Sequence, residues 1–463
     1  MTNRTERDSM GAFEVPGDML YGAQTARAVA NFPVSGRGIG REMIRALGLI
    51  KKAAAGVNRE LGLLDASLAE AIQGAADEVI DGRLDAHFPV DVFQTGSGTS
   101  SNMNCNEVIA NRAIQRMGGV IGSKDPVHPN DHVNLGQSSN DVFPSAIHIA
   151  ALSLLETRLL PALDGLQRSL AAKATAFDDV VKIGRTHLQD ATPIRLGQEF
   201  SGYASQVEHG IRRLKHARAH LRELAIGGTA VGTGINTHHS FGARMAEALS
   251  KSAGMELVEA RNHFEAQAAQ DAAVQASGAL KTVAVSLMKI ANDLRFLASG
   301  PRLGLGELSI PEVQPGSSIM PGKVNPVMAE SLIMVCAQVI ANDSAITLGG
   351  LYGNFELNVM LPLIARNLLE QIELLGAAVP LFDAKLVAGL QANRDVIEGK
   401  NEQSLSLATA LAPHIGYDKA AAIARESFTS KRTVREIAEE QQVLPPPELA
   451  RVLDLRRQTE PEP

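Results

Sequence analysis

Apolar residues recur at helical spacing along most of this chain, and the polar residues that interrupt them come in bunches. From Met43 to about Ala76, Ile, Leu, Val and Ala repeat every three or four positions with a break near Gly62, which predicts helices in an N-terminal domain. From about Phe143 to Ala172 the residues Ile147, Ala150, Leu154, Leu155 and Leu159 share the spacing of one long amphipathic helix. Further helices are predicted from about Pro193 to Leu224, from about Glu265 to Ser299, in the apolar run Val327 to Leu348, and from Asn354 to Leu375. The segment ending at Ser299 would span roughly 50 Å at 1.5 Å per residue. It is apolar on much of its circumference, so it needs neighbours on several sides, and self-association through a bundle of long helices is expected. Residues 1 to about 40 lack periodicity and are rich in Gly, Pro and Arg, which predicts an extended arm on the surface. From about Phe382 the pattern is less apolar and reads as a small helical C-terminal domain. Pro445 to Pro447 are expected to break that domain, and the end TEPEP to be disordered.

The polar bunches fall at predicted helix starts. In TGSGTSSNMNCNEVIANRA, Thr95 to Ala113, two glycines precede Thr99, Ser100, Ser101 and Asn102. Capping accounts for one or two such hydroxyls and not for the cluster. In VHPNDHVNLGQSSND, Val127 to Asp141, His128 and Pro129 open a turn that Asn130 and Asp131 can close, and Ser138, Ser139 and Asn140 lead into a helix with Pro144 expected in its first turn. On spacing alone His128 is a turn histidine. In KIGRTHLQDATP, Lys182 to Pro193, His187 stands among Thr186, Gln189 and Asp190, ahead of an expected Thr192 cap with Pro193 as first helical residue. An imidazole there serves either as an acid or base near neutral pH or as a plain hydrogen-bonding group.

The densest stretch is GSSIMPGKVNP, Gly316 to Pro326. Pro326 suits a first helical turn, and Asn325 occupies the expected N-cap. Lys323 then lies beside free backbone N–H groups at the positive end of a helix, an arrangement that attracts a carboxylate or phosphate. Gly316 and Gly322 let the backbone approach the ligand, with Ser317 and Ser318 supplying hydroxyls. GTAVGTG, Gly228 to Gly234, lacks a GK[ST] ending and a strand context, so it is not a phosphate loop.

Composition narrows the class. The 463 residues are 45% hydrophobic and 21% charged, room for two or three domains with a large core. Aromatics are 4% with no Trp, which favours long helices packed through small side chains. A net charge of −7 without a basic, aromatic-interleaved cluster excludes nucleic acid as the main partner. Cys105 and Cys336, the two cysteines, read as free thiols, and the first residues lack the apolar core of a secretory signal. No stretch is read as a membrane span, and the cytoplasm is the expected compartment.

GSSIMPGKVNP resembles the signature of the fumarase/aspartase superfamily, and the likeness runs from LYGAQTARA near Leu20 to HIGYDKAA near His414. Histidine at 187 and at 128, together with SSND from Ser138, makes it more similar to class II, iron-independent fumarases than to aspartases, which carry Gln and Asn-Pro at the first two places. His132 and the LGQ after Asn134 depart slightly from the common fumarase pattern. The resemblance implies an all-α fold of three domains, with boundaries read at 1–138, 139–356 and 357–463. Its central bundle of long helices forms a twenty-helix core in a homotetramer, with active sites shared between subunits. It implies reversible hydration of fumarate to L-malate through a carbanion, without cofactor or metal.

By the same resemblance Ser317 is the base, while His187 with Glu330 handles the water. Ser97, Gly98, Thr99, Ser138, Ser139, Asn140, Thr186, Ser318, Lys323, Val324 and Asn325 fall at substrate-binding positions, and His128, Pro129, Asn130 and Asp131 at a second anion site. That second site is expected to be weakened because SKDP places Asp125 where fumarases often carry arginine. An aspartate ammonia-lyase and a non-catalytic protein of the same fold are the alternatives.

Overall fold

The computed structural model describes residues 3–461. Met1, Thr2, Glu462 and Pro463 lie outside the described residues, and with the last two goes part of the expected disordered end. The chain opens with a β-hairpin, β1 (Asn3–Asp8) and β2 (Gly11–Pro16), followed by α1 (Ala23–Asn31), α2 (Arg41–Glu60), α3 (Ala66–Ile80) and α4 (Thr99–Arg116). Next come α5 (Ser139–Leu154), a π turn at Leu155–Leu159, α6 (Leu160–Ala176), and a second hairpin, β3 (Val181–Thr186) and β4 (Gln189–Arg195). The long helices α7 (Leu196–Leu221), α10 (Asp271–Leu297), α11 (Val327–Gly350) and α12 (Leu361–Phe382) follow, with shorter α8 (Phe241–Ala253) and α9 (His263–Ala268) after α7. The end is built from α13 (Arg394–Asn401), α14 (Ala412–Ile415), α15 (Tyr417–Ser430), α16 (Val434–Glu440) and α17 (Pro446–Val452). The fold is mainly helical, with short two-stranded ladders.

Two compact units partition the chain, and their boundaries fall inside long helices. The first comprises residues up to Leu160, Arg212–Ala284 and Ala337–Gly376. Its centre is α2, which packs against α3, α4, α5 and α8. The apolar stripe Met43, Leu47, Ile50, Ala54 and Val57 is buried because those positions repeat at the helical period and so face the neighbouring helices together. Helix α5 is buried nearly all round. The second unit comprises Pro161–Ile211, Val285–Cys336 and the chain from Ala377 onward. Its C-terminal core joins Leu407, Leu411, Ile423, Val434, Ile437, Leu449 and Leu453, and Ile183 of β3 is part of it.

Several expectations are corrected. The first residues form a hairpin and a helix, with Val15 fully buried, because Arg4 reaches the carbonyls of Pro16, Met19 and Tyr21 and ties the strands to the following turn. Thr192 and Pro193 lie in β4 and not at a helix start, since Lys182 pairs with Ile194 and Ile183 with Pro193 across the ladder. Pro144 lies one turn further inside α5 than expected, because Ser138 is already the cap. The helix read from Asn354 begins at Leu361, since Phe355 takes a left-handed turn between the pairs Gly353–Asn354 and Leu357–Asn358. Proline at 446 opens α17, where a missing N–H costs nothing. The stretch Arg457–Thr459 forms a helical turn held by Gln198, which donates to the Thr459 carbonyl at 2.9 Å.

The helical stretch Ser139–Ala176 and helix α11 are long and apolar enough to cross a membrane, by length and composition alone, which the sequence reading did not register. The most apolar window of the first is 67% buried inside the fold, as a core helix is, and that of α11 only 39%.

Candidate active site

Helix α4 starts at Thr99 because Gly98 takes φ +74°, a left-handed turn that aims the first helical turn inward. A β-carbon on Gly98 would sit 2.2 Å from the Phe143 ring, so nothing larger fits there. The turn brings three hydroxyls into line: Ser97 Oγ is 2.7 Å from Thr99 Oγ1, which is 2.6 Å from Ser139 Oγ. Ser138 caps α5 in a reciprocal box with Asp141, and the Asn140 amide donates to the Ala230 carbonyl at 2.8 Å. Thr99, Ser138 and Ser139 face a pocket of about 360 Å³, shared with Asn102, Asn134, Gln137 and the 229–236 loop. Of the neighbouring hydroxyls, Ser101 is committed to structure, donating to Gln94 at 2.9 Å.

Beneath that pocket lie groups the sequence reading missed. Lys51 of α2 is fully buried and donates to Asn134 Oδ1 and Gln137 Oε1, each at 2.9 Å. Burial pulls its ammonium down to about 8, opposed by the nearby Cys105 and Asp141. The buried Asp141 carboxylate accepts N–H bonds from Ser138 at 2.9 Å, Gly227 at 3.0 Å and Thr229 at 2.9 Å. Burial nevertheless pushes its pKa up to about 6. Only the crowding of amides around position 134 hinted at this layer, since a lysine in the run LGLIKKAAAG reads as solvated.

In the second unit, Thr186 and His187 stand exposed at the tip of the β3–β4 hairpin. His187 and Leu188 both adopt left-handed φ, +56° and +61°, which is the geometry of a tight two-residue turn and costs strain in residues with a β-carbon. The stem is held from below. Lys182, 1% exposed, pairs with Glu307 at 2.7 Å and Glu199 at 3.0 Å, while Arg185 reaches Glu307 at 2.5 Å.

Residues 316–325 form one loop closed at its neck by the Asn325 amide, which donates to the Gly316 carbonyl at 2.6 Å. Asn325 therefore does not cap α11. The Pro326 carbonyl accepts the first helical N–H, from Glu330 at 3.1 Å, and Asn325 is turned back across the loop. Ser317 Oγ accepts the N–H groups of Ile319 at 3.2 Å and Met320 at 3.0 Å. Ser318, Lys323, Val324 and Glu330 are exposed, and the Lys323 ammonium has no ion-pair partner among the described residues. Two hydrogen bonds donated to a serine oxygen stabilise negative charge on it, which is what a proton-abstracting serine requires.

The turn at His128–Asp131 closes on itself. His128 Nδ1 accepts the N–H groups of Asn130 at 3.2 Å and Asp131 at 3.1 Å, and Pro129 is buried. Burial lowers the His128 pKa, so the ring is neutral at pH 7. Among the described residues no group of His, Cys, Asp and Glu is arranged to hold a metal ion.

Residues 11–341 match the Lyase family, and residues 407–460 match the Fumarase C C-terminus family. A class II fumarate hydratase from Nitrosomonas europaea is 55% identical, with 94% of each chain covered. The mitochondrial fumarate hydratase of Danio rerio is 56% identical over 94% of this chain and 86% of its own. Among solved structures, recombinant class II fumarase from Schistosoma mansoni superposes with a TM-score of 0.96 at 41% identity, covering 99% of both chains. A fumarate lyase:delta crystallin from Brucella melitensis, bound to cobalt, gives 0.94 at 46% identity over 99% of this chain and 100% of its own. With relatives this similar over nearly their whole length, and with the hydroxyl pocket and the serine–lysine loop built as described, the chain belongs to the class II fumarate hydratase family of the fumarase/aspartase superfamily.

Proposed function

We propose that the protein catalyses the reversible addition of water to fumarate, giving L-malate, with Ser317 as the base. In the malate direction Ser317 takes a proton from the carbon beside one carboxylate. The electron pair delocalises into that carboxylate, held by Lys323, Asn325 and the N–H groups near Ser318 and Val324. Hydroxide then leaves the adjacent carbon as water, protonated by His187 with Glu330 alongside, and the double bond of fumarate forms. Ser97, Thr99, Ser138, Ser139, Asn140 and Thr186 hold the carboxylates, with Gly98 bringing the backbone close. The observation that carries the base assignment is the pair of backbone N–H groups on Ser317 Oγ.

The surface of α11 supports self-association. Its buried stripe of Leu332, Cys336, Val339 and Ile346 is matched by an exposed apolar side that includes Met334 and Leu348, at 67% and 54% exposure. An apolar surface of that kind calls for partner helices. We assign it to a homotetramer with a twenty-helix core, three domains per chain divided near residues 138 and 356, and active sites completed by neighbouring subunits. The cytoplasm fits two buried, unpaired thiols. A second anion site at His128–Asp131 requires the His128 ring to release the two N–H groups it now occupies.

The test is ultraviolet absorbance of the fumarate double bond, with L-malate and L-aspartate supplied separately in buffer containing chelator. A rise with malate alone, reduced at least about a hundredfold in kcat by Ser317→Ala, is the expected result. A rise with aspartate alone would overturn the reaction, and near-normal turnover by Ser317→Ala would overturn the base.

A further inference from the structure

We infer that Lys51 is a positioning residue for the hydroxyl pocket, fixing its floor through Asn134 and Gln137 and supplying a buried positive charge that favours doubly charged ligands. The inference rests on the dicarboxylate reading above. Lys51 Nζ bonds two neutral amide oxygens and has no ion-pair partner among the described residues. The acceptors therefore satisfy two of its three N–H groups without cancelling its charge. Of the titratable groups facing it, Cys105 on α4 is a neutral thiol that burial pushes up to about 12, and Asp141 on α5 is a carboxylate bonded to three backbone N–H groups and not to the ammonium.

Asn134 is the hub of the floor. Its Oδ1 accepts Lys51 Nζ, Asn106 Nδ2 at 3.1 Å and Asn102 Nδ2 at 3.2 Å, while its own Nδ2 donates to the Gln137 carbonyl at 3.1 Å. Gln137 Nε2 in turn holds the Val133 and Leu135 carbonyls at 3.1 and 3.2 Å. The loop so fixed runs directly into Ser138 and Ser139, which line the pocket. Hydrogen bonding alone gives no reason for a charge here, because a neutral donor could hold the two amide oxygens at a smaller desolvation cost. A charge in a poorly screened interior acts on a ligand above it, and it acts up to twice as strongly on a dianion as on a monoanion.

The experiment compares the full-length protein with Lys51→Met and with Lys51→Gln, which keeps a donor for the two amides if the methionine variant fails to fold. Binding of succinate, a dianion, and butyrate, a monoanion of equal chain length, is measured by calorimetry, and malate turnover is followed in parallel. The expected result is a loss of about tenfold or more for succinate and about threefold for butyrate, with KM for malate rising by more than kcat falls. Equal losses for the two ligands would mean that the lysine only shapes the pocket, and no loss would mean that it does neither; either overturns the inference. Calorimetry needs no turnover, so a parent protein that binds succinate yet leaves malate untouched would overturn the proposed reaction and leave the charge comparison to decide Lys51.

Discussion

Gly316→Ala is the sharpest test of the loop, because it removes no side chain assigned to the chemistry. A β-carbon on Gly316 would lie 1.7 Å from the Lys323 carbonyl oxygen, 2.6 Å from its carbon and 3.2 Å from the Val324 nitrogen. All three are backbone atoms, so no side-chain rotation relieves the clash. Ordinary contact lies at roughly 3.5 Å, and the two sides of the loop neck must part by about 1.8 Å. That movement breaks the 2.6 Å bond from Asn325 to the Gly316 carbonyl and displaces Ser317 from Lys323. A misplacement of about 1 Å costs on the order of a hundredfold in rate, so kcat on malate should fall by about 10²–10³-fold. The loop is largely exposed and contributes no core side chain, so the melting temperature should stay within about 2 °C of the parent. Steady-state absorbance kinetics and a thermal melt on the same preparation check both halves. Turnover within about threefold of the parent would refute the claim that the pinched neck sets the geometry of Ser317.

Two stability predictions follow. Asp141→Ala strips the acceptor from three N–H groups at once, two of them buried, and should destabilise the fold by about 3 kcal/mol or more, read as a lower denaturation midpoint. Glu307→Gln leaves Lys182 and Arg185 short of their shared buried carboxylate and should cost about 3–5 kcal/mol at pH 7. Burial raises the Glu307 pKa, but the hydrogen bonds and charges of Arg185 and Lys182 outweigh it and hold the folded-state value below the ordinary 4.5. Its contribution is therefore complete above about pH 4.5 and is lost as the pH falls through the folded-state value. The midpoints of parent and variant should converge on acidification, and a gap that stays constant would exclude the ion cluster as its source.

The long helices were legible because their apolar positions repeat over many turns, and α2, α3, α5 and α10 lie close to where the pattern puts them. The hairpin at Val181–Arg195 was not legible. Thr192-Pro193 carries the local signature of a helix start, and only pairing with Lys182 and Ile183 selects the strand. In the loop, residue types suggested a chemistry but not the geometry. Asn325 beside a proline suggests a cap, whereas the folded loop spends its amide on Gly316. Lys51 was invisible because a charged residue in an apolar helix ordinarily marks the solvated face, and burial among amides is a property of the assembled helices.

The β3–β4 hairpin separates what must be rigid from what can vary. Its stem is anchored by Ile183 in the C-terminal core and by the Lys182–Glu307–Arg185 cluster, while His187 and Leu188 at the tip are exposed. Position 187 is also one of the two histidine positions on which the sequence resemblance favours fumarases over aspartases. On the role proposed for His187, a leaving-group preference sits on a two-residue turn that can be exchanged without repacking a single core side chain. The scaffold is in that sense a socket with a replaceable fitting, and altered substrates are more accessible to evolution or to an engineer at this tip than in the long helices that hold it.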